Sequence, residues 1–166
     1  IYWIKRELEE ISFYYTQPEE YERIKNLVSK DQLQRNHYVE TVKKVIGEKM
    51  REANLPYRIY GRYKQFYSIY QKMMSQDLSF EEVYDIIAFR ITMETIPQCY
   101  EALGIIHANW RPIPTKFKDY IGFPKPNGYK SLHTTVIGPY GERMEVQIRT
   151  EEMDRIANSG VFVKRV

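Results

Sequence analysis

The sequence predicts an α+β domain: a mixed β-sheet flanked by helices, with an N-terminal helical segment ahead of it. Three observations lead there. Residues 1–54 repeat their apolar positions at helical spacing. From Leu55 onward, short β-branched and aromatic runs alternate with apolar helix stripes. The resulting order, β-α-β-α-β-β-α, closes on two strands joined by a tight turn, which sets a hairpin beside crossover connections in one sheet.

In the helical segment Ile4, Leu8 and Ile11 form one stripe, and Val39, Val42, Ile46 and Met50 form another. Between them Gln17-Pro18-Glu19-Glu20 is a helix start, with proline in the first turn and acids behind it. His37 lies in a polar stretch and is read as solvated. Tyr57–Arg62 is the first predicted strand, followed by a helix whose Phe66, Ile69, Tyr70 and Met73 share one face. Asp85–Thr92 (DIIAFRIT) is almost continuously apolar, as in a strand buried on both faces. Pro97 opens a helix with a core stripe of Cys99, Leu103, Ile106 and Trp110. His107 adjoins that stripe and is read as a packed or capping residue rather than a ligand. Leu132–Ile137 and Met144–Arg149 are the last strands, joined through Gly138-Pro139-Tyr140-Gly141, and a short helix starts at Glu151. The division drawn from this is a helical connector or annex over 1–54 and the α+β unit over 55–166.

At 166 residues the chain has room for one domain with a buried core. The single cysteine, Cys99, excludes an intrachain disulfide, and with 3 histidines no zinc cluster can be assembled. No apolar run is long enough to span a membrane and no signal sequence is visible, so the expected compartment is cytoplasmic. The chain starts at Ile1 inside a charged helical pattern, so a segment of a longer protein is expected. A net charge of +3 says little about an anionic partner, and the placement of the charge says more. The 15 tyrosines fit either a half-polar core or stacking surfaces, and composition favours the core.

Placement marks several candidates. Arg58, Tyr60, Arg62 and Lys64 share one face of an extended segment, beside Gly61. A polyphosphate site with close backbone approach at Gly61, and an edge strand defended by charge, fit this stripe equally. Asp85 at a strand start reads, alone, as a cap or an ion-pair member. Glu145, Gln147 and Arg149 alternate with Met144, Val146 and Ile148, which is ordinary for a half-solvated strand. The two acids together, in a cation-rich domain, also fit enzymes that move phosphoryl groups. There carboxylates hold Mg²⁺ and take a proton, while Lys and Arg neutralise phosphate. The stretch FKDYIGFPKPNGYKSLHTTVIG (117–138), next to Lys116, adds Lys118, Lys125, Lys130, Tyr120 and Tyr129. Asn127-Gly128 predicts a turn projecting Tyr129 outward as a stacking surface. No P-loop or dinucleotide fingerprint occurs.

Four segments resemble the synthetase domain of the RelA/SpoT family in order and spacing. They are GRYKQFYSIYQKM (61–73), YDIIAFRI (84–91), FKDYIGFPKPNGYKSLHTTVIGP (117–139) and MEVQIRT (144–150). WIKRELEEISFYY and its successor resemble the connector preceding this domain in long members. The resemblance implies a nucleotidyltransferase-like fold and a Mg²⁺-dependent pyrophosphokinase. In that reaction the 3′-hydroxyl of GTP or GDP attacks the β-phosphorus of ATP and AMP leaves. It assigns Asp85 and Glu145 to metal binding and catalysis, and Arg62, Lys64 and Lys72 to ATP. It assigns Tyr129, His133, Lys116 and Lys118 to the guanine nucleotide, with Tyr129 stacked on the base.

Lys116-Phe117-Lys118-Asp119 is similar to the family's basic Arg-x-Lys-Asp motif, which goes with use of GTP; the acidic Glu-x-Asp-Asp form goes with GDP. Lysine at the first position keeps the charge but loses the bidentate fork. After Gly160-Val161 the chain reads FVKRV where the family continues into an Ala-Ala-His-Trp-like run. Two rival readings are a nucleotidyltransferase passing on a nucleotidyl group, and a catalytically silent guanine-nucleotide or RNA-binding domain. Retention of both Asp85 and Glu145 weighs against the silent domain. Ribosome or RNA contact is expected only through regions outside this segment.

Overall fold

Six strands build one mixed sheet in the computed structural model, which describes residues 2–30, 32–83 and 87–159. They are β1 (Arg58–Tyr63), β2 (Ile87–Met93), β3 (Arg111–Pro112), β4 (Lys118–Asp119), β5 (Leu132–Ile137) and β6 (Arg143–Thr150). The order is β1-β2-β6-β5-β3, with β4 also pairing β5. β2 and β6 run parallel, and the other pairs are antiparallel. The α+β expectation holds. β3 and β4 were not foreseen, because a two-residue strand leaves no periodicity to read.

Six helices surround the sheet: α1 (Tyr2–Thr16), α2 (Pro18–Lys30), α3 (Gln32–Glu52), α4 (Phe66–Gln76), α5 (Ile96–Asn109) and α6 (Glu151–Ser159). One sheet face, carrying Phe89, Ile91, Val146, Ile148, Leu132 and Val136, packs with α3 and α5 into the main core. α3 contributes Val39, Val42, Ile46 and Met50, all buried as the helical spacing predicts. α5 starts with a capping box: Thr95 Oγ1 accepts from the Gln98 amide, and Gln98 Oε1 accepts from the Thr95 amide. Gly61 faces this core and not a ligand. A Cβ there would overlap the Val39 side chain and lie 3.2 Å from the Phe89 ring. The close approach that glycine permits is that of α3 onto β1.

A second cluster joins Ile24 and Val28 of α2 to Ile69 and Met73 of α4, with Phe80 and Val83. Phe13 of α1 belongs with it, 1% exposed and stacked on Tyr70 at 4.9 Å. The α1 stripe reads differently from its spacing: Ile4, Leu8 and Ile11 are 40%, 59% and 51% exposed. The inward line is instead Arg6, Glu10 and Phe13, spaced i, i+4, i+7. Glu10 explains why a carboxylate lies inside. Its two oxygens accept from the Phe66 and Tyr67 amides at 3.1 Å each, capping α4, whose own N-cap Gln65 supplies no side-chain bond. Arg6 Nε donates to Gln65 Oε1 at 3.2 Å. No helix among the described residues is long and apolar enough to cross a membrane.

Candidate active site

Register gathers the polar residues on the sheet's other face. Tyr60 pairs with Arg90, Arg90 with Gln147, and Gln147 with His133; Glu145 lies opposite Thr135, and Lys118 opposite His133. Directly paired residues point to the same side. The parity read from the sequence therefore holds for Arg62 and Glu145. The cationic stripe itself divides: Arg58 lies 3.6 Å from Glu151 at the edge, while Arg90 sits over the Tyr60 ring at 5.3 Å.

A cavity of about 400 Å³ opens over this face, lined by Arg62, Arg90, Tyr129, His133, Gln147 and Arg149 among others. Tyr129 points into it, not outward as the turn predicts. Asn127 Oδ1 accepts the Tyr129 amide at 3.1 Å, and Gly128 at φ 85° reverses the chain so that the ring swings inward. The Tyr129 hydroxyl is 2.7 Å from His133 Nε2 and accepts from Arg149 Nη1 at 3.3 Å. The Lys125 ammonium lies 5.2 Å from the Tyr129 ring and 4.7 Å from that of Tyr120, whose edge meets His133. Burial pushes the His133 pKa down to about 4, with Lys125 and Arg149 adding to the effect and Glu145 opposing it. Arg62 is also lowered, first by desolvation and then by Arg6 and Arg90. This cavity is short of negative charge.

A second cavity of about 390 Å³ is lined by Lys72, Lys116, Lys118, Arg143, Glu145 and His133, among others. Glu145 Oε2 pairs with Lys64 Nζ at 2.9 Å, and Glu145 Oε1 accepts from Gln147 Nε2 at 3.4 Å. His133 lines both cavities, and Gln147, which donates to Glu145, lines the first, so Glu145 stands where the two meet. Of the residues assigned from sequence, Arg62 shares a cavity with Tyr129 and His133, and Lys72 shares one with Lys116 and Lys118. Asp119, the acid of the charged motif, is structural: it accepts from Tyr100 Oη at 2.8 Å and from the Ile121 and Gly122 amides. Asp85 lies outside the described residues, as do residues 160–166.

A family profile described as a region found in RelA and SpoT proteins matches residues 61–164. The chain belongs to the RelA/SpoT family. A GTP pyrophosphokinase of Myxococcus xanthus is 50% identical over 161 residues, which are 97% of this chain and 21% of that protein. A probable guanosine-3′,5′-bis(diphosphate) 3′-pyrophosphohydrolase of Synechocystis is 47% identical over 162 residues, with the same 97% and 21% coverage. The chain thus spans about a fifth of the length of these curated relatives. The crystal structure of small alarmone synthetase 2 from Bacillus subtilis matches with a TM-score of 0.64 at 28% identity, covering 80% of this chain and 77% of that one.

Several residues at this candidate site escaped sequence reasoning. The alternation Glu145, Gln147, Arg149 looks half-solvated, yet Arg149 is 4% exposed. Its partner Asp154 lies on α6, and Arg90 sits in an apolar run; neither has a local signal. His37 is exposed as expected, and His107 is packed, its Nε2 2.7 Å from Thr134 Oγ1 on the core side. Buried Cys99, its pKa pushed up to about 12 by burial, is no nucleophile. Among the described residues no group of three or more His, Cys, Asp or Glu could hold a metal ion. Mg²⁺ is commonly held by one or two carboxylates plus substrate phosphates, and Glu145 beside a lysine-lined cavity fits that sparse donor set.

Proposed function

We propose that this RelA/SpoT-family chain is a (p)ppGpp synthetase, a cytoplasmic GTP/GDP diphosphokinase serving the stringent response. It transfers pyrophosphate from ATP to the 3′-hydroxyl of GTP or GDP. The observation carrying this reading is Glu145, a carboxylate 2.9 Å from Lys64 where an aromatic, cationic cavity meets a lysine-lined one. The first cavity offers the Tyr129 ring to guanine, a contact worth about 1–3 kcal/mol. In the second, Lys72, Lys116 and Lys118 balance phosphate charge.

Glu145 takes the proton of the acceptor 3′-hydroxyl. The O3′–Pβ bond forms as the bond from Pβ to the bridging oxygen breaks, and that oxygen leaves with AMP. Lys64 and Lys72 hold the donor phosphates, and His133, neutral at pH 7, orients the acceptor through Tyr129. Mg²⁺, for which Asp85 and Glu145 are the proposed ligands, supplies neutralisation of phosphate charge. The connector over 1–54 and the synthetase over 55–166 remain, in this proposal, a division of labour between segments whose core is shared through α3. The test is product analysis with ATP, GTP and Mg²⁺. Equal amounts of AMP and a 3′-pyrophosphorylated guanosine nucleotide are expected. Release of pyrophosphate would identify nucleotidyl transfer instead, and bound nucleotide without turnover a silent binding domain.

A further inference from the structure

Asp154 has no part in the chemistry above, yet it organises the floor of the first cavity. It stands on α6 with its side chain 19% exposed, and its carboxylate gathers guanidinium groups from two neighbouring strands. Oδ1 accepts from Arg149 Nε at 2.9 Å and lies 2.8 Å from Arg149 Nη2, so two guanidinium nitrogens converge on one oxygen. The same oxygen is 3.2 Å from Arg90 Nη1, and Oδ2 accepts from Asn158 Nδ2 at 3.3 Å. Engaging Nε and Nη2 leaves Arg149 Nη1 free to reach sideways, and it donates to the Tyr129 hydroxyl at 3.3 Å. Tyr129 is thereby tied to α6 through Arg149.

Charge explains why one acid there matters. Two guanidinium groups on adjacent strands repel, and Arg149 is almost wholly removed from water. Asp154 offsets one of the two charges and fixes the plane of Arg149. Arg90 keeps a buried Nε without a hydrogen-bond partner, so the shared carboxylate does not exhaust its donors. We infer that Asp154 is a positioning residue for guanine recognition. Through Arg149 it holds the Tyr129 ring at the angle that receives the base. The inference rests on the first cavity being the guanine-nucleotide site.

The test is calorimetric binding of GDP, and separately of a non-hydrolysable ATP analogue, to the whole chain. Asp154→Asn is expected to weaken GDP binding about tenfold, as loss of a charge-assisted hydrogen bond does, and ATP-analogue binding less than about twofold. Asp154→Glu restores most of the loss. In a Tyr129→Phe background the Asp154→Asn effect should shrink to about twofold, because the hydroxyl that carries it is gone. A loss of equal size in both backgrounds, or equal for both nucleotides, makes Asp154 merely structural and overturns the inference. Unchanged GDP binding in Asp154→Asn overturns it too. Wild-type protein that fails to bind GDP overturns the reading of the cavity itself and the inference with it. Should Asp154→Asn fail to fold, Arg149→Lys reads the same link. A lysine ammonium lacks the planar fork that presents separate nitrogens to Asp154 and the hydroxyl, so it must weaken GDP binding with Tyr129 present and not with Tyr129→Phe.

Discussion

Lys64 Nζ lies 2.9 Å from Glu145 Oε2, and the two side chains are 22% and 21% exposed. A proposed base and a proposed phosphate ligand thus neutralise each other, and ATP phosphates compete with Glu145 for the ammonium. Glu145→Gln should lower kcat by about 10²–10⁴-fold, the usual cost of losing a positioned base. Affinity for an ATP analogue should hold or rise, because Lys64 loses its competitor. Single-turnover rates and analogue titrations measure both, and wild-type turnover would remove Glu145 from proton transfer.

Tyr129→Ala should raise KM for GTP by the equivalent of about 1–3 kcal/mol of lost stacking and leave KM for ATP nearly unchanged. Tyr129→Phe keeps the ring but forfeits the hydroxyl contacts with His133 and Arg149, so a rise of a few-fold is expected. Equal rises for both substrates would show that the residue serves the turn.

His133 should make stability depend on pH. Its folded pKa is about 4, and the unperturbed value is 6.5. Between those values the unfolded chain binds a proton that the folded one refuses. Stability therefore falls as pH drops through that window, by on the order of 3 kcal/mol at its foot. His133→Gln should flatten the denaturation midpoint between about pH 6.5 and about pH 4, leaving a residual slope from His107, which burial also lowers. Parallel curves for the two proteins would contradict the assignment.

Lys116 and Lys118 are both exposed at the second cavity, where the extra phosphate of GTP would add charge. GTP should be at least as good an acceptor as GDP. Lys116→Glu with Lys118→Asp should cut kcat/KM for GTP by roughly tenfold and that for GDP far less, with a gap that narrows in high salt. A strong GDP preference in the unaltered protein, insensitive to the reversal, would refute this.

What the sequence discloses and what it hides follow from how local each signal is. The α5 start beside Pro97, the turn at Pro139 and the alternation in β6 are set by neighbours in the chain, and each lies within a residue of where its pattern places it. Parity gives the side of Glu145 within β6, but its meeting with Lys64 needs the register of β1 on β2 and of β2 on β6. Ile4, Leu8 and Ile11 mislead because periodicity finds an apolar face without saying what covers it. Tyr129 reads as outward-facing and Gly61 leaves two readings open, since the inward swing at Gly128 and the packing of α3 on Gly61 depend on distant elements. The Arg90–Asp154–Arg149 cluster needs the parallel pairing of β2 with β6 and the return of α6. No single stretch of sequence contains it.

The borrowed cap of α4 sets a threshold for shortening this protein. The first turn of α4 lies just after Lys64 and leads to Lys72, and its amides are closed off by Glu10, more than fifty positions earlier. Trimming up to Lys5 removes only residues outside the Arg6, Glu10 and Phe13 line. Trimming past Glu10 strips two amides of their acceptors, at a cost of about 0.5–2 kcal/mol for a lost cap. The loss would be felt first as a loosened grip on phosphate, well before the sheet gives way. The smallest fragment that keeps the start of α4 capped is therefore longer than the sheet and its own helices suggest.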